Sequence, residues 1–268
     1  MAEGSGKTAL VTGASSGIGK AFAELLAAKG YALVLTARRV DRLEALAAEL
    51  TRKHGIAAHT IAADLSAIDA PETIASELLA RGLRVDILVN NAGYGVPGSY
   101  LTVSWSDHGK FMQVMVTAVM DLTYRLLPGM LERGWGRVIN VASVAGMVPA
   151  PAGHTLYGAS KAFLIRLSEA LAAENAPKGV NVTAVCPGFT WSEFHDVTGT
   201  RDRMNHMPGF LWLTAADVAR EGYDAVMNGT PVVVNGRIYR LLVWLNGAMP
   251  RGLARWVSTL AGRRYRKT

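Results

Sequence analysis

The chain has 268 residues and a mass of 28.6 kDa, and 50% of its residues are hydrophobic against 18% charged, which excludes a disordered chain and a charge-rich coiled coil. A single cysteine, Cys186, excludes an internal disulfide framework and a cysteine-based zinc site, and it suits a reducing environment. The net charge of +7 comes from the C-terminal end, since eight basic and no acidic residues follow Asp224, so a nucleic-acid-binding face across the domain is not expected.

The first residues lack the basic and apolar segments of a signal peptide, and the longest uncharged run is interrupted by polar residues and prolines. We therefore expect a cytoplasmic protein without a membrane span. The six histidines show no pair at helical spacing with a glutamate, so no metal site is expected.

Short apolar segments alternate with amphipathic helical patterns along the chain. The segments are rich in valine, isoleucine and leucine without polar alternation, which is typical of parallel strands covered on both faces. The sequence therefore predicts an α/β fold with a doubly wound parallel sheet and a ligand at the carboxyl ends of its strands. We predict one domain over 1–230 with a C-terminal extension over 231–268, and six strands, Thr8–Thr12, Ala32–Thr36, Ala57–Ala63, Asp86–Asn90, Arg137–Ala142 and Asn181–Cys186.

A glycine-rich turn follows the first predicted strand and leads into a helix. Glycines let the backbone turn tightly and approach a pyrophosphate, which the N–H groups and dipole of the helix stabilise. An ordinary strand-to-helix connection has the same composition, but the position at the first junction of a repeating β-α chain indicates a dinucleotide site. The residues we assign to it are Gly13, Ser15, Ser16, Gly17, Ile18 and Gly19.

Two arginines, Arg38 and Arg39, follow the second predicted strand, where a dinucleotide site often has an acidic residue. A carboxylate there accepts hydrogen bonds from the ribose 2′-hydroxyl, whereas an arginine pairs with a 2′-phosphate. The sequence therefore favours NADP(H) over NAD(H). One arginine would be sufficient, and the other would then point into solvent.

These motifs make the chain similar to the short-chain dehydrogenase/reductase family over about residues 6 to 230. The resemblance implies a Rossmann-like fold, an NADP(H)-dependent carbonyl reductase or alcohol dehydrogenase, and a homodimer or homotetramer. It implies Ser143, Tyr157 and Lys161 as the catalytic set, with Tyr157 and Lys161 also at the cofactor. It further implies cofactor contacts from Asp64 and Leu65 after the third strand, Asn90, Ala92 and Gly93 after the fourth, and Pro187, Gly188, Thr190 and Ser192 after the sixth.

The catalytic chemistry also follows from the residue types. Tyr157 and Lys161 are four residues apart, so on a helix they share one face. An ammonium beside a phenol is expected to lower the phenol pKa from about 10, which makes tyrosine a usable general acid or base. Ser143 ends the fifth predicted strand, where its hydroxyl can hydrogen-bond to the substrate oxygen as charge develops.

Met115 is a departure from the family pattern. In the family, an asparagine in the helix after the fourth strand anchors a water that connects the lysine to solvent, and Met115 stands at that position. Methionine has no amide to do this. Hydride transfer with weaker proton supply, a different proton route, and a catalytically impaired NADP(H)-binding sensor or scaffold are the alternatives.

An aromatic segment follows the sixth strand, where the family has its substrate lid. It contains Phe189, Trp191, Phe194, Phe210 and Trp212, with Met204 and Met207. An apolar lid favours a hydrophobic carbonyl or alcohol substrate; packing of the lid itself, or a subunit contact, would use the same residues.

The last segment, 238–268, mixes apolar and aromatic residues with arginines. Basic amphipathic segments can lie on anionic membranes. Two alternatives remain at this point: the tail covers the lid of a partner subunit, or it packs on its own domain.

Overall fold

The computed structural model describes residues 2–96, 98–150, 152–153, 155–193, 208–250 and 252–253. Its centre is a seven-stranded sheet in the order β3-β2-β1-β4-β5-β6-β7, and each neighbouring pair is parallel. The predicted doubly wound, Rossmann-like α/β fold is confirmed. The strands are β1 (Thr8–Thr12), β2 (Ala32–Ala37), β3 (Ala58–Ala62), β4 (Ile87–Asn90), β5 (Gly136–Val141), β6 (Val180–Cys186) and β7 (Val232–Val234).

The seventh strand lies in the region that the sequence assigned to the C-terminal extension. Its three valines pair with Ala184, Val185 and Cys186 of β6, so the sheet continues past residue 230. A three-residue strand is too short to show a hydrophobic period, which is why the sequence pattern did not separate it from the tail.

Helices cover both faces of the sheet. They are α1 (Gly17–Ala28), α2 (Val40–His54), α3 (Ala70–Ala80), α4 (Trp105–Met112), α5 (Ala118–Glu132), α6 (Thr155–Asn175), α7 (Ala215–Met227) and α8 (Arg237–Ala248). Side chains alternate between the faces of a strand, so Ala9 and Val11 of β1 pack with α1, α2 and α7. Leu10, between them, packs with α3 and α5 on the opposite face.

A π-helical turn, Gln113–Thr117, joins α4 to α5. The continuous helix from Trp105 to Glu132 is long and apolar enough to cross a membrane by length and composition, but Phe111, Val119 and Leu122 pack in the interior of the domain. π-Turns of this kind occur often beside functional sites.

Helix α8 is attached to the domain through Tyr239, which is 6% exposed. The Tyr239 hydroxyl donates to the carbonyl of Leu211 (2.7 Å) and accepts from the N–H of Phe189 (3.0 Å). Its ring lies against Gly188, where an added Cβ would come within 2.0 Å of the ring. The inner face of α8 is therefore fixed against the segment that follows β6.

Candidate active site

A cleft of about 640 Å³ lies at the carboxyl ends of β1, β2, β4, β5 and β6. Most residues assigned to a cofactor or catalytic site from the sequence line it, and Gly19 and Asn90 do not. The lining residues are Gly13, Ser15, Ser16, Gly17, Ile18, Arg38, Arg39, Asp64, Leu65, Ala92, Gly93, Ser143, Tyr157, Lys161, Pro187, Gly188, Thr190 and Ser192. The structure thus brings widely separated motifs into one site.

The glycine loop is shaped by close approaches of backbone to backbone. Gly13 has φ of +66°, a conformation that favours glycine, and an added Cβ would lie 2.8 Å from the Asn91 side-chain nitrogen. A Cβ on Gly19 would lie 2.4 Å from the Gly13 carbonyl oxygen. Gly19 therefore allows α1 to approach the loop, which explains its place behind the cleft.

Asn90 connects two strands below the cleft. Its side-chain nitrogen donates to Asn140 Oδ1 (2.9 Å) and to Thr123 Oγ1 (3.2 Å), and the residue is 3% exposed. The neighbouring Asn91 donates to the carbonyls of Thr12 and Gly13 (2.9 and 3.3 Å). These two amides hold the strand ends and the glycine loop in place, and the structure gives Asn90 a supporting position instead of a place in the cleft wall.

The arginines after β2 occupy the outer end of the cleft. Arg38 is exposed along the wall. Arg39 donates to the hydroxyls of Ser15 and Ser16 at 3.0 Å each, and it forms an ion pair with Glu193 at 2.8 Å. Both predicted arginines thus border the cleft, and Arg39 connects the end of β2 with the glycine loop.

An acidic residue and a third arginine at this end were not predicted. Glu193 accepts from Arg39 and, at 2.7 Å, from Arg42 of α2. These hydrogen bonds hold the pKa of Glu193 below its usual value, so it carries a full negative charge. Neither residue belongs to a motif; an arginine one turn after Arg38 was the available signal for Arg42.

Asp64 lies at the end of β3 and also remains ionised. The backbone N–H of Ser66 donates to its carboxylate at 3.0 Å, and this bond lowers the Asp64 pKa. Among the residues with described positions, no three His, Cys, Asp or Glu side chains are grouped so that they could hold a metal ion.

Ser143, Tyr157 and Lys161 meet at the inner end of the cleft. Ser143 lies two residues after the end of β5, accepts from the N–H of Ala145 (3.1 Å), and hydrogen-bonds to Tyr157. Tyr157 and Lys161 lie one turn apart on α6, with Lys161 Nζ 5.7 Å from the Tyr157 ring centroid. Lys161 Nζ donates to the carbonyl of Val141 at 2.6 Å.

The expected lowering of the tyrosine pKa by lysine is wrong for this structure. Burial raises the pKa of Tyr157, and the hydrogen bond from Ser143 opposes that rise. Burial lowers the pKa of Lys161 to about 8, because the charged form loses its hydration. The phenol therefore keeps its proton at neutral pH, and the lysine, with a pKa of about 8, is still mostly protonated there but gives up its proton more easily than an exposed lysine.

Met115 lies in the π-turn, beside the cleft and 1% exposed. Its sulfur would be 2.9 Å from a Cβ on Gly93, so it fills the space beside the turn that follows β4. Tyr94, Val96 and Leu156 pack around it together with Tyr157. An apolar cluster therefore occupies the position where the family pattern has an amide.

Three of the four described aromatic residues of the segment after β6 pack on one another, whereas Phe210 is 68% exposed. The rings of Trp191 and Trp212 stack with their centroids 4.0 Å apart, and Phe189 lies 6.0 Å from Trp212. Trp191 borders α1 and Arg42, away from the catalytic cleft. These three rings support the packing alternative over a substrate lid. Phe194, Met204 and Met207 lie outside the described residues.

Comparisons with known proteins agree with this site. The short chain dehydrogenase family model matches residues 7–202. The chain belongs to the short-chain dehydrogenase family. This family membership confirms the resemblance carried by the motifs and makes the chain an oxidoreductase by family.

Individual relatives differ in what their names describe. The chain is 38% identical to nodulation protein G of Rhizobium sp. (strain N33) over 88% of its length and 98% of that protein. It is 36% identical to the very-long-chain 3-oxoacyl-CoA reductase-B of Danio rerio over 72% of its length, and it spans 62% of that relative. A short-chain dehydrogenase from Sphingobium yanoikuyae, solved with NADPH, superimposes with a TM-score of 0.81 at 32% identity, covering 90% of this chain and 93% of that one.

Proposed function

We propose that the protein is an NADPH-dependent reductase of a hydrophobic carbonyl compound, with Tyr157 as the general acid. The observation that carries this proposal is the Tyr157 hydroxyl, hydrogen-bonded to Ser143 and one helical turn from Lys161 at the inner end of a dinucleotide-sized cleft. A phenol that keeps its proton at neutral pH suits donation to a carbonyl oxygen better than abstraction from an alcohol.

The cleft fits NADP(H) on its own geometry. Gly13 and Gly17 line the cleft without a side chain, so a pyrophosphate can approach the backbone at the start of α1. Ser16, the N-cap residue of α1, makes no side-chain cap hydrogen bond, which leaves helix N–H groups for an anion. Arg38 and Arg39 would hold the 2′-phosphate, and Asp64 the adenine. The related protein from Sphingobium yanoikuyae was solved with NADPH.

The three inner residues have separate tasks in the proposed reaction. Bound NADPH supplies the hydride. Ser143 donates a hydrogen bond to the carbonyl oxygen, which gains negative charge in the transition state, and Tyr157 then gives that oxygen its proton. Lys161, with a pKa of about 8, holds the ribose hydroxyls and can pass a proton towards Tyr157 at neutral pH.

The substrate side near Tyr157 is apolar, and this favours a hydrophobic carbonyl compound. Tyr157 packs against a buried apolar cluster of Phe111, Met115 and Val116, and Tyr94, Val96 and Leu156 pack against the same cluster. Apolar walls with a few convergent polar groups are typical of sites for hydrophobic ligands. The relative from Danio rerio is named for a reductase of very-long-chain 3-oxoacyl-CoA, which is the same chemical class.

The test is NADPH oxidation, followed by absorbance, with ketones and 3-oxoacyl thioesters of increasing apolar length. We expect kcat/KM to rise with apolar length and small hydrophilic aldehydes to react poorly. Tight NADPH binding without turnover of any of these compounds would favour the non-catalytic sensor instead.

Met115→Asn, assayed in parallel, separates the proton-supply alternatives. Faster turnover of Met115→Asn would show that the methionine limits proton supply. Equal turnover would show that another route serves Lys161.

A further inference from the structure

Helix α8 presents an apolar stripe to solvent. Ile238, Leu241, Leu242 and Leu245 follow the spacing i, i+3, i+4, i+7, which places them on one side of a helix. Their exposures are 39%, 54%, 47% and 42%. A surface helix normally turns such a stripe towards the core, so this arrangement is the reverse of the usual one.

The helix cannot turn this stripe inward without breaking its attachment. Tyr239, about a quarter of a turn round the helix from the stripe, is 6% exposed and hydrogen-bonded to Leu211 and Phe189, which both precede α8 in the chain. Asn246, two turns later on the same side, donates to the carbonyl of Met147 at 3.4 Å. The orientation of the apolar stripe is therefore fixed by the packing of the side that carries Tyr239 and Asn246.

Basic and aromatic residues border the stripe. Arg237 and Trp244 lie on one flank of it and Arg240 lies further round the helix; all three are exposed, Trp244 at 67%. Trp and Arg have an apolar body and a polar end, so they favour the level of lipid headgroups. The apolar stripe and these basic and aromatic residues together give α8 the apolar contacts and the headgroup contacts that a helix at a membrane interface makes.

The charge around α8 distinguishes between the partners that would cover it. After Asp224 the sequence has eight basic residues and no acidic one. A second copy of the chain placed on the stripe would bring the exposed Arg237 and Arg240 of both copies close to one another, and like charges at an interface oppose association. Anionic lipid headgroups attract the same segment at about 1 kcal/mol per basic residue.

We propose that α8 docks on an anionic membrane surface, with Ile238, Leu241, Leu242 and Leu245 in the headgroup region and the basic residues beside them on the lipid phosphates. Because Tyr239 packs on Gly188 of the cleft wall, the docked face lies next to the catalytic cleft. The proposal concerns the surface and holds whatever the substrate is.

The test is co-sedimentation of the full chain with vesicles of phosphatidylcholine containing about 30 mol% phosphatidylserine, compared with pure phosphatidylcholine. We expect binding to the anionic vesicles and loss of binding in about 1 M salt, where charges are screened. The double variant Leu241→Gln, Leu245→Gln is expected to bind at least about tenfold more weakly, because two buried leucines are removed from the lipid contact.

Leu79→Gln is the matched control, because Leu79 is 83% exposed on α3. This variant is expected to leave vesicle binding unchanged. Circular dichroism and NADPH binding show that the variants are folded. No binding to anionic vesicles, or equal binding of the double variant and the wild type, overturns the proposal. So does sedimentation of the wild type as a dimer that the double variant converts to a monomer, because the stripe would then be a contact between two copies.

Discussion

The two ends of the cleft are built in opposite ways. At the inner end Ser143 is 9% and Lys161 5% exposed, and burial determines the pKa values of Tyr157 and Lys161. At the outer end the side chains of Arg39 and Glu193 are 40% and 41% exposed, and hydrogen bonds from Arg39 and Arg42 lower the pKa of Glu193. The buried inner end therefore holds its catalytic groups in fixed positions. At the exposed outer end, a phosphate can replace the Glu193 carboxylate beside the arginine.

Tyr157→Phe is expected to have the largest effect, because it removes the proton donor and leaves the ring in place. We expect kcat for the best ketone to fall about 10³-fold, with NADPH affinity nearly unchanged. Stopped-flow kinetics and fluorescence titration measure the two quantities. Tyr124→Phe, at a tyrosine that is 81% exposed on α5, is the control. A loss below tenfold would mean that another group supplies the proton.

Lys161→Met is expected to abolish activity and to change the pH dependence of stability. Burial lowers the pKa of Lys161 from 10.5 in the unfolded chain to about 8, so between these values the unfolded chain binds the extra proton. Wild-type stability therefore gains about 3 kcal/mol relative to the variant as pH rises across this window.

Urea denaturation of both proteins at several pH values from about 7.5 to about 10.5 measures this difference. Lys178→Met, which removes an exposed lysine, is the control. If the difference in free energy of unfolding between Lys161→Met and the wild type stays constant with pH, Lys161 does not titrate as a buried charge at the inner end.

Arg39→Ala tests the outer end. Losing a charged donor to a phosphate removes about 1.5–3 kcal/mol, so the ratio of NADPH to NADH affinity is expected to fall about 30-fold. The preference of the wild type for NADPH over NADH should itself weaken as the salt concentration rises, because the outer end of the cleft is exposed. Arg52→Ala, at an exposed position on the same helix, should leave the ratio unchanged. An unchanged ratio in Arg39→Ala would assign the 2′-phosphate to Arg38.

Glu193→Gln is expected to have a smaller and opposite effect. Its carboxylate lies on Arg39 and Arg42 (2.8 and 2.7 Å), so it competes with any phosphate for these cations. Removing an exposed competing charge is expected to tighten NADPH binding about threefold, within the range of exposed ion pairs. Isothermal titration calorimetry measures the NADPH affinity, with Glu44→Gln on α2 as the control. Weaker NADPH binding in Glu193→Gln would show that the carboxylate supports the bound cofactor.

The sequence predicted the features that a local pattern encodes. Six strands and the glycine loop follow from apolar runs and turn residues, and the spacing of Tyr157 and Lys161 follows from the helix period. It could not predict the pair of Glu193 with Arg42, because 151 residues separate them and only the folded sheet brings them together. The predicted direction of the Tyr157 pKa shift was also wrong, because burial depends on tertiary packing, which residue spacing does not reveal.

The π-turn at Gln113–Thr117 has a consequence for grafting segments between relatives. A π-turn holds one residue more than the regular helix, so the helix before it is rotated by roughly 100° against the helix after it. The turn therefore sets which side of α4 faces the domain, where Phe111 is buried. Deleting a single residue within the turn would swing Met112 and Phe111 out of their places, so chimeras should keep all five of its residues.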